Sequence, residues 1–488
     1  MRSFLAIASF GILGLTACGT DVVGDDTPPP TTARATWYQD VAPIVSKHCM
    51  SCHQDGGIAP FSLTAYEDAA SNAKRMLDQI TQGTMPPFDA REESDCTPRF
   101  SWKDDPRLTS QEKTTLQWWL EDGTAEGTKA DVPLPPNTDL ANVSMSLAPT
   151  TGFVSSGDRD QFFCTVLDPH FATGTWLTGL QVRPGNDAVV HHAVITEVFA
   201  TGASATAIAS HPTGVPWDCS TEQQPADLVV SIWTPGNQAM NTPPELAVPM
   251  LAGSKLVMQI HYHPAGKVND PDITSIDVRT SNVWPQKMYF VGAFGNALAA
   301  PNLLTDPDDR IAGTPEFRIP ANRVDHEEHM TFTMGDLGGL QNVQLYSANP
   351  HMHLIGTHIN STITRPAARG NDPQTECLAN GKWNFDWQRT YIYDAPLSQL
   401  PTVQQGDVID IRCHWNNTID NPFVQRALKD ASLVAPVDVS LGEGNSTDEM
   451  CLEIFGISVD APPMPATGRL TADDLPLHAL EAMTQRSM

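Results

Sequence analysis

Several side chains in this sequence are grouped as redox and metal chemistry would require. The first group is Cys49-Met50-Ser51-Cys52-His53, a C-x-x-C-H run. Two thiols at this spacing can form thioethers with the vinyl groups of a haem, and the following histidine then lies beneath the iron. One covalently bound haem c is the cofactor expected there, held by Cys49, Cys52 and His53. Gly83-Thr84-Met85-Pro86-Pro87 offers Met85 as the second axial ligand. A thioether suits low-spin iron and raises its potential relative to a second histidine. Two other uses of the motif compete. A zinc knuckle needs further ligands, and only His48 is close. A redox C-x-x-C belongs in a βαβ context, which the surrounding sequence lacks.

The second set lies downstream: His191-His192, His261-Tyr262-His263 and His351-Met352-His353, with Met450 in Thr447-Asp448-Glu449-Met450-Cys451. In a strand, residues i and i+2 point to the same side, so His351 and His353 can grip one metal from one face. His191 and His192 are adjacent and need a twist or bulge to converge. Imidazole suits copper, iron or zinc, whereas a thioether favours Cu(I).

The elements that must position these groups differ along the chain. Trp37, Val41, Ile44 and Val45 share a helical face just before the haem motif. Thr109-x-x-Glu112 is a capping box opening a segment in which Leu116, Trp119 and Leu120 share a face, with Gly123 as the stop. After about residue 145 the period becomes two. Leu256, Met258, Ile260 and Tyr262 alternate with Val257, Gln259, His261 and His263; segments around Met330, Ile359 and Leu452 behave alike.

Pro (40) and Gly (33) are abundant and charged residues make up only 18%, which favours short strands and many turns over long helices. A chain of 488 residues calls for several domains. The formal charge of −28 makes nucleic acid an unsuitable partner. Arg2 precedes an apolar run from Phe4 to Leu15, too short to span a bilayer as a mature helix. Leu15-Thr16-Ala17-Cys18 resembles a bacterial lipobox, which implies lipidation at Cys18, a membrane anchor and an exported lipoprotein in the periplasm or at the outer membrane; an ordinary secretory signal is the alternative. Six further cysteines, Cys96, Cys164, Cys219, Cys377, Cys413 and Cys451, suit three disulfides in an oxidising compartment, with the pairing open.

Two resemblances sharpen these expectations. Asp40-Val41-Ala42-Pro43-Ile44, Gly56-Gly57-Ile58-Ala59-Pro60 and Met85-Pro86-Pro87 resemble bacterial cytochrome c-like domains. Residues 145 to 460 resemble the copper type II monooxygenases, the family of peptidylglycine α-hydroxylating and dopamine β-monooxygenases. The resemblance rests on Phe162-Phe163-Cys164, His191-His192, Gln259-Ile260-His261-Tyr262, His351-Met352-His353, Gly406-Asp407 through Cys413, and Asp448-Glu449-Met450-Cys451.

The implied fold is multidomain: a small all-α cytochrome c-like domain followed by two all-β jelly-roll-like sandwiches. The expected boundaries are 1–18 signal peptide, 19–35 tether, 36–127 haem domain, 128–145 linker, 146–285 and 286–462 sandwiches, and 463–488 tail. The resemblance implies two copper ions. His191, His192 and His261 match the copper that stores and passes an electron; His351, His353 and Met450 match the catalytic copper that binds O₂. It also implies the disulfides Cys164–Cys219 and Cys413–Cys451, leaving Cys96 and Cys377 to pair across the haem and copper regions. His263 falls outside the match, and His326, His329, His358 and His414 are expected in solvent or packing roles.

The implied activity is hydroxylation of an aliphatic C–H bond with O₂. Two electrons are needed per turnover, drawn from an external donor and relayed by the haem. The peptide-amidating members hold a substrate carboxylate with Arg, Asn and Tyr, whereas the matching positions here are Asn349, Leu452 and Ile454. Loss of the guanidinium fork points to a small organic substrate that is neutral or apolar. The alternative is an electron-transfer or copper-binding lipoprotein without hydroxylase activity.

Overall fold

A computed structural model describes residues 33–478 apart from 94–95, 158, 221–223, 265–268, 298, 338–339 and 443–446. The leader and Cys18 lie outside the described residues. Among these residues no helix is long and apolar enough to cross a membrane.

Five α-helices occur among the described residues: α1 (Ala42–His48), α2 (Tyr66–Gln82), α3 (Ser110–Glu121), α4 (Ala203–Ile208) and α5 (Pro422–Ala431). The Thr109 capping box forms as the sequence predicts, with Thr109 and Glu112 satisfying each other's backbone N–H groups. Gly83 ends α2 at φ 72°, a left-handed position that glycine takes without a Cβ clash. Trp37, Val41, Val45, Leu116 and Trp119 share a small apolar core, with Trp37 and Trp119 rings 5.8 Å apart.

The expected fold class needs correction. Strand outweighs helix, 32% against 16%, and among the described residues no distinct all-α domain precedes the sheets. The reason lies in residues 83–109, between α2 and α3. This stretch contains Pro86, Pro87, Pro98 and Pro106 and no helical period, so its described residues form no helix and cannot cover their own aromatics. The sheet-rich body covers them instead. Phe88 meets Tyr391 edge-on at 5.1 Å, and Trp102 stacks on Tyr393 at 4.9 Å. The Arg91 and Lys103 amides donate to Asn380 and Ile392 carbonyls at 2.8 Å each. Arg99 pairs with Asp372 and Glu376 at 2.8 Å, and Cys96 is disulfide-bonded to Cys377.

The expected pair of separate jelly-roll-like sandwiches is also replaced by a shared architecture. One nine-stranded sheet runs through both halves of the β region. Its halves join where Leu246–Met250 pairs in parallel with Lys287–Asn296. A five-stranded sheet including Gln161–Leu167, Val190–Val198 and Lys255–Tyr262 belongs to the first half, and a four-stranded sheet including His326–Thr333, Gly356–Thr364 and Val408–Trp415 to the second. One buried apolar core spans both halves. Period-two alternation showed where strands lie but not this fusion, because Leu246 to Met250 are buried on both faces and carry no alternation that would mark a partner. Leu470 and Leu475, in the expected tail, also enter that core.

The three disulfides are Cys96–Cys377, Cys164–Cys219 and Cys413–Cys451. Three bridges are consistent with a chain exported to an oxidising compartment.

Candidate functional site

His191, His192 and His261 come together. The strands Val190–Val198 and Lys255–Tyr262 are antiparallel, and their register slips between Val190 and His192. This bulge is what two adjacent histidines need in order to face one point. His192 then lies opposite His261 in the ladder. The Nδ1 atoms of His191 and His261 are 3.2 and 3.3 Å from Nδ1 of His192. Each residue offers a ligand atom, and all three atoms lie within 4.8 Å of one another.

Carboxylates lie close to the outward nitrogens, without an aligned hydrogen bond to either. His261 Nε2 is 3.0 Å from Asp160, and His191 Nε2 is 3.7 Å from Asp386. Arg426, on α5, bridges these acids at 3.1 and 3.0 Å. Asp160 belongs to the first half of the β region and Asp386 to the second, so both halves support this group. Burial opposes ionisation of Asp160, yet His261, His263 and Arg426 hold its carboxyl well below the usual range. Burial pushes His261 down to about 4 and His192 well below its usual value. Imidazoles converging through Nδ1 suit a copper ion, and a carboxylate behind a ligating histidine fixes its tautomer. His263 stays outside the cluster and shares Asp160 at 2.7 Å.

An Asp160→Asn substitution is therefore expected to weaken copper retention at this group by on the order of 10–100-fold, without changing haem content. Competition of the reduced protein against a Cu(I) chelator measures it; an unchanged affinity would remove Asp160 from this role.

His351 and His353 sit at the end of the strand Gln344–His351 and just beyond it. Their rings are 5.5 Å apart and nearly perpendicular. Nδ1 of His351 contacts Gln388 Oε1 at 3.0 Å, and Nδ1 of His353 contacts the Asp448 carbonyl at 3.0 Å. Both Nδ1 atoms are engaged, leaving Nε2 as the ligand atom of each ring. Burial pushes His351 down to about 4 and His353 to about 3. Met450 is partly buried between two anchored residues. Glu449 accepts from the His353 and Ile355 amides at 2.7 and 2.9 Å, and Cys451 is bonded to Cys413. A proton on His351 would disfavour one on His192, which puts the two histidine groups within electrostatic reach.

At the C-x-x-C-H run both thiols are free and partly buried. His53 Nδ1 contacts the Phe61 carbonyl at 3.0 Å, which orients the ring and leaves Nε2 for iron. Burial pushes the Cys49 thiol up to about 12, opposite to the lowered value of a redox C-x-x-C. His48 is occupied at both nitrogens, by the Pro106 carbonyl and Glu112, so the nearby zinc ligand is spent. Among the described residues no third metal-binding side chain gathers with Cys49 and Cys52. The donor set thus fits haem attachment better than zinc. Met85 is partly buried just past α2, and Pro86 and Pro87 line the same cavity as Cys52, about 500 Å³ in volume.

Sequence reasoning missed the segment Phe385–Arg389. The Phe385 ring stacks on His191 at 5.7 Å, Asp386 approaches His191, Gln388 holds His351, and Trp387 and Arg389 line the cavity beside Cys52. These are ordinary residue types in no motif, and only the fold brings them to the site. A cleft of about 940 Å³ lies nearby, lined by Val230, Ile232 and Met240 from the first half and Tyr289, Asn349 and Ile454 from the second.

A further metal-like group, Asp306, Asp308 and His326, was also not anticipated. Here His326 is buried between Asp308 and Glu328, and Arg323 pairs with Asp308. Cations of the chain itself satisfy those acids, so the group reads as an ion-pair network. His329 pairs with Asp410, and His414 with Asp325 and Glu327, in packing and surface roles.

No family model matches this sequence, and no curated protein matches it. A structure of allantoicase aligns at 8% identity over 52% of this chain and 77% of that chain, with a TM-score of 0.15. A likeness that low carries no argument about fold or activity.

Proposed function

We propose that this chain is an exported copper-dependent monooxygenase that hydroxylates an aliphatic C–H bond with O₂. The observation that carries the reading is the paired arrangement of imidazoles. Three rings converge through Nδ1, and two more present Nε2 within electrostatic reach, beside the chain that carries Met450.

His191, His192 and His261 would hold one copper; His351, His353 and Met450 would hold the other. Bound copper supplies one-electron storage at the first group and O₂ activation at the second. Cys49, Cys52, His53 and Met85 would hold a haem c, which relays electrons from an external donor. The residues' own work is positional. Asp160 and Asp386 steady the outward nitrogens of His261 and His191. Gln388 and the Asp448 carbonyl orient His351 and His353. Glu449 ties the Met450 strand to the His353 backbone.

The cleft between the halves is the substrate site in this reading. Asn349 and Ile454 line it together with the charged Asp104 and Arg389, so it suits a small organic molecule, and the neutral or apolar character of that molecule rests on the resemblance alone. Cys18 would tether the protein to a membrane by lipid.

Metal and haem analysis of the purified full chain, followed by product-coupled O₂ uptake over a substrate panel with an added reductant, tests the reading. About two coppers per chain, one haem and hydroxylated product are expected. A copper-free protein, or copper without any coupled product, would overturn it.

A further inference from the structure

One short segment touches all three candidate redox groups. Phe385 lies face-on to His191 at 5.7 Å and its centroid is 6.1 Å from that of His261. Asp386 is 3.7 Å from His191 Nε2. Gln388 Oε1 is 3.0 Å from His351 Nδ1. Trp387, between them, lines a cavity that Ser51 and Cys52, the latter a residue that would hold haem, also line.

The segment is also held rigidly. Asn384 caps it by accepting from the Asp386 amide at 3.0 Å, and the Trp387 amide donates to the Asn384 carbonyl at 3.0 Å. The Gln388 amide group donates back to the Phe385 carbonyl at 3.2 Å. Arg426 clamps Asp386 at 3.0 Å and lies over the Phe385 ring at 5.5 Å. A chain fixed in this way keeps donor and acceptor separations constant. Electron tunnelling falls steeply with distance and prefers bonded routes to open gaps. Through this segment the route from the Cys52 side is covalent from Trp387 to Asp386 or Gln388. A single contact then completes it, to His191 or to His351.

We propose that Trp387 is the bridging residue for electron passage between the haem edge at Cys52 and the two histidine groups. The proposal rests on the reading that haem and copper occupy those sites. The step is a single-electron exchange: ferrous haem is oxidised by one electron, cupric copper is reduced by one, and no bond forms or breaks. The indole provides orbitals along the route and is not itself consumed. The same segment orients His351 through Gln388, so electron delivery and ligand geometry share one rigid element.

The test uses the full holoprotein with haem and copper both loaded. Haem is reduced with substoichiometric dithionite, and its reoxidation by cupric copper is followed by stopped flow through the haem α band. Haem potential, copper content and the Cu(II) EPR spectrum are recorded on the same samples. Trp387→Leu is expected to slow reoxidation, because leucine takes away the indole ring that lines the Cys52 cavity and leaves an open gap there. Trp387→Phe, which keeps an aromatic ring and guards against misfolding of the first variant, is expected to give an intermediate rate. Unchanged potential and EPR spectrum in both variants separate bridging from simple support of the ligands. Wild-type rates in Trp387→Leu, with both cofactors bound, would overturn the bridge and leave the proposed function standing. Altered EPR or potential in both variants would overturn the bridge in favour of a supporting role. A wild-type protein lacking haem or copper would instead overturn the underlying reading.

Discussion

Replacing Met450 with leucine is expected to reduce hydroxylated product by on the order of 100-fold or more, while haem absorption stays that of the wild type. The argument is chemical and not volumetric. Leucine and methionine are close in size, and such swaps usually cost less than about 1.5 kcal/mol of stability. The backbone around position 450 is fixed independently of its side chain. Glu449 is buried, and burial pushes its carboxyl up to about 7 even though the His353 and Ile355 amides donate to it. Cys451 is bonded to Cys413, and its strand pairs with both Gln344–His351 and Lys287–Asn296. Leucine therefore removes the thioether, the one soft donor at this group, and little else. Product-coupled O₂ uptake and the haem spectrum, measured together, check the prediction. Retained activity would exclude Met450 as a ligand, and lost haem would indicate misfolding.

Opening the Cys96–Cys377 bridge by serine at both positions is expected to cost about 3–5 kcal/mol of stability. The bridge spans 281 residues, so it removes a long loop from the unfolded ensemble. It is also a covalent tie between the stretch that follows the C-x-x-C-H run and the β body. Arg99, Trp102 and Phe88 still dock that stretch without it, so local loosening is expected around residues 86–108 before global unfolding. Thermal unfolding and limited proteolysis in non-reducing buffer read both effects. An unchanged melting temperature together with unchanged cleavage would show that the noncovalent contacts suffice.

Both predictions depend on contacts that no local pattern announces. The C-x-x-C-H run and the i, i+2 histidines are legible because the chemistry itself is local: thioether attachment and same-face chelation require those spacings. The capping box at Thr109 and the strands around Leu256, Met330 and Ile359 are legible for a similar reason, since helix and strand periods are written residue by residue. The disulfide pairing followed resemblance and elimination, because spacing alone leaves six cysteines open.

The organisation of the whole was not legible in the same way. Helical periodicity on either side of residues 83–109 suggested a self-contained all-α domain, but a non-helical, proline-bearing stretch must bury Phe88 and Trp102 somewhere, and the sheets provide the place. The parallel pairing that fuses the two β halves joins Leu246 to Lys287 and leaves no trace in either strand's own pattern.

The sequence by itself determined which side chains could carry redox chemistry and which local elements would hold them. Only the tertiary structure decided that His191 and His192 converge, because a bulge is a property of two strands in register and not of one. It also decided that Asp160, Arg426 and the segment Phe385–Arg389 belong to the site. Aspartate, arginine and phenylalanine are common everywhere, and their roles come from being brought within a few ångströms of residues far away in the chain.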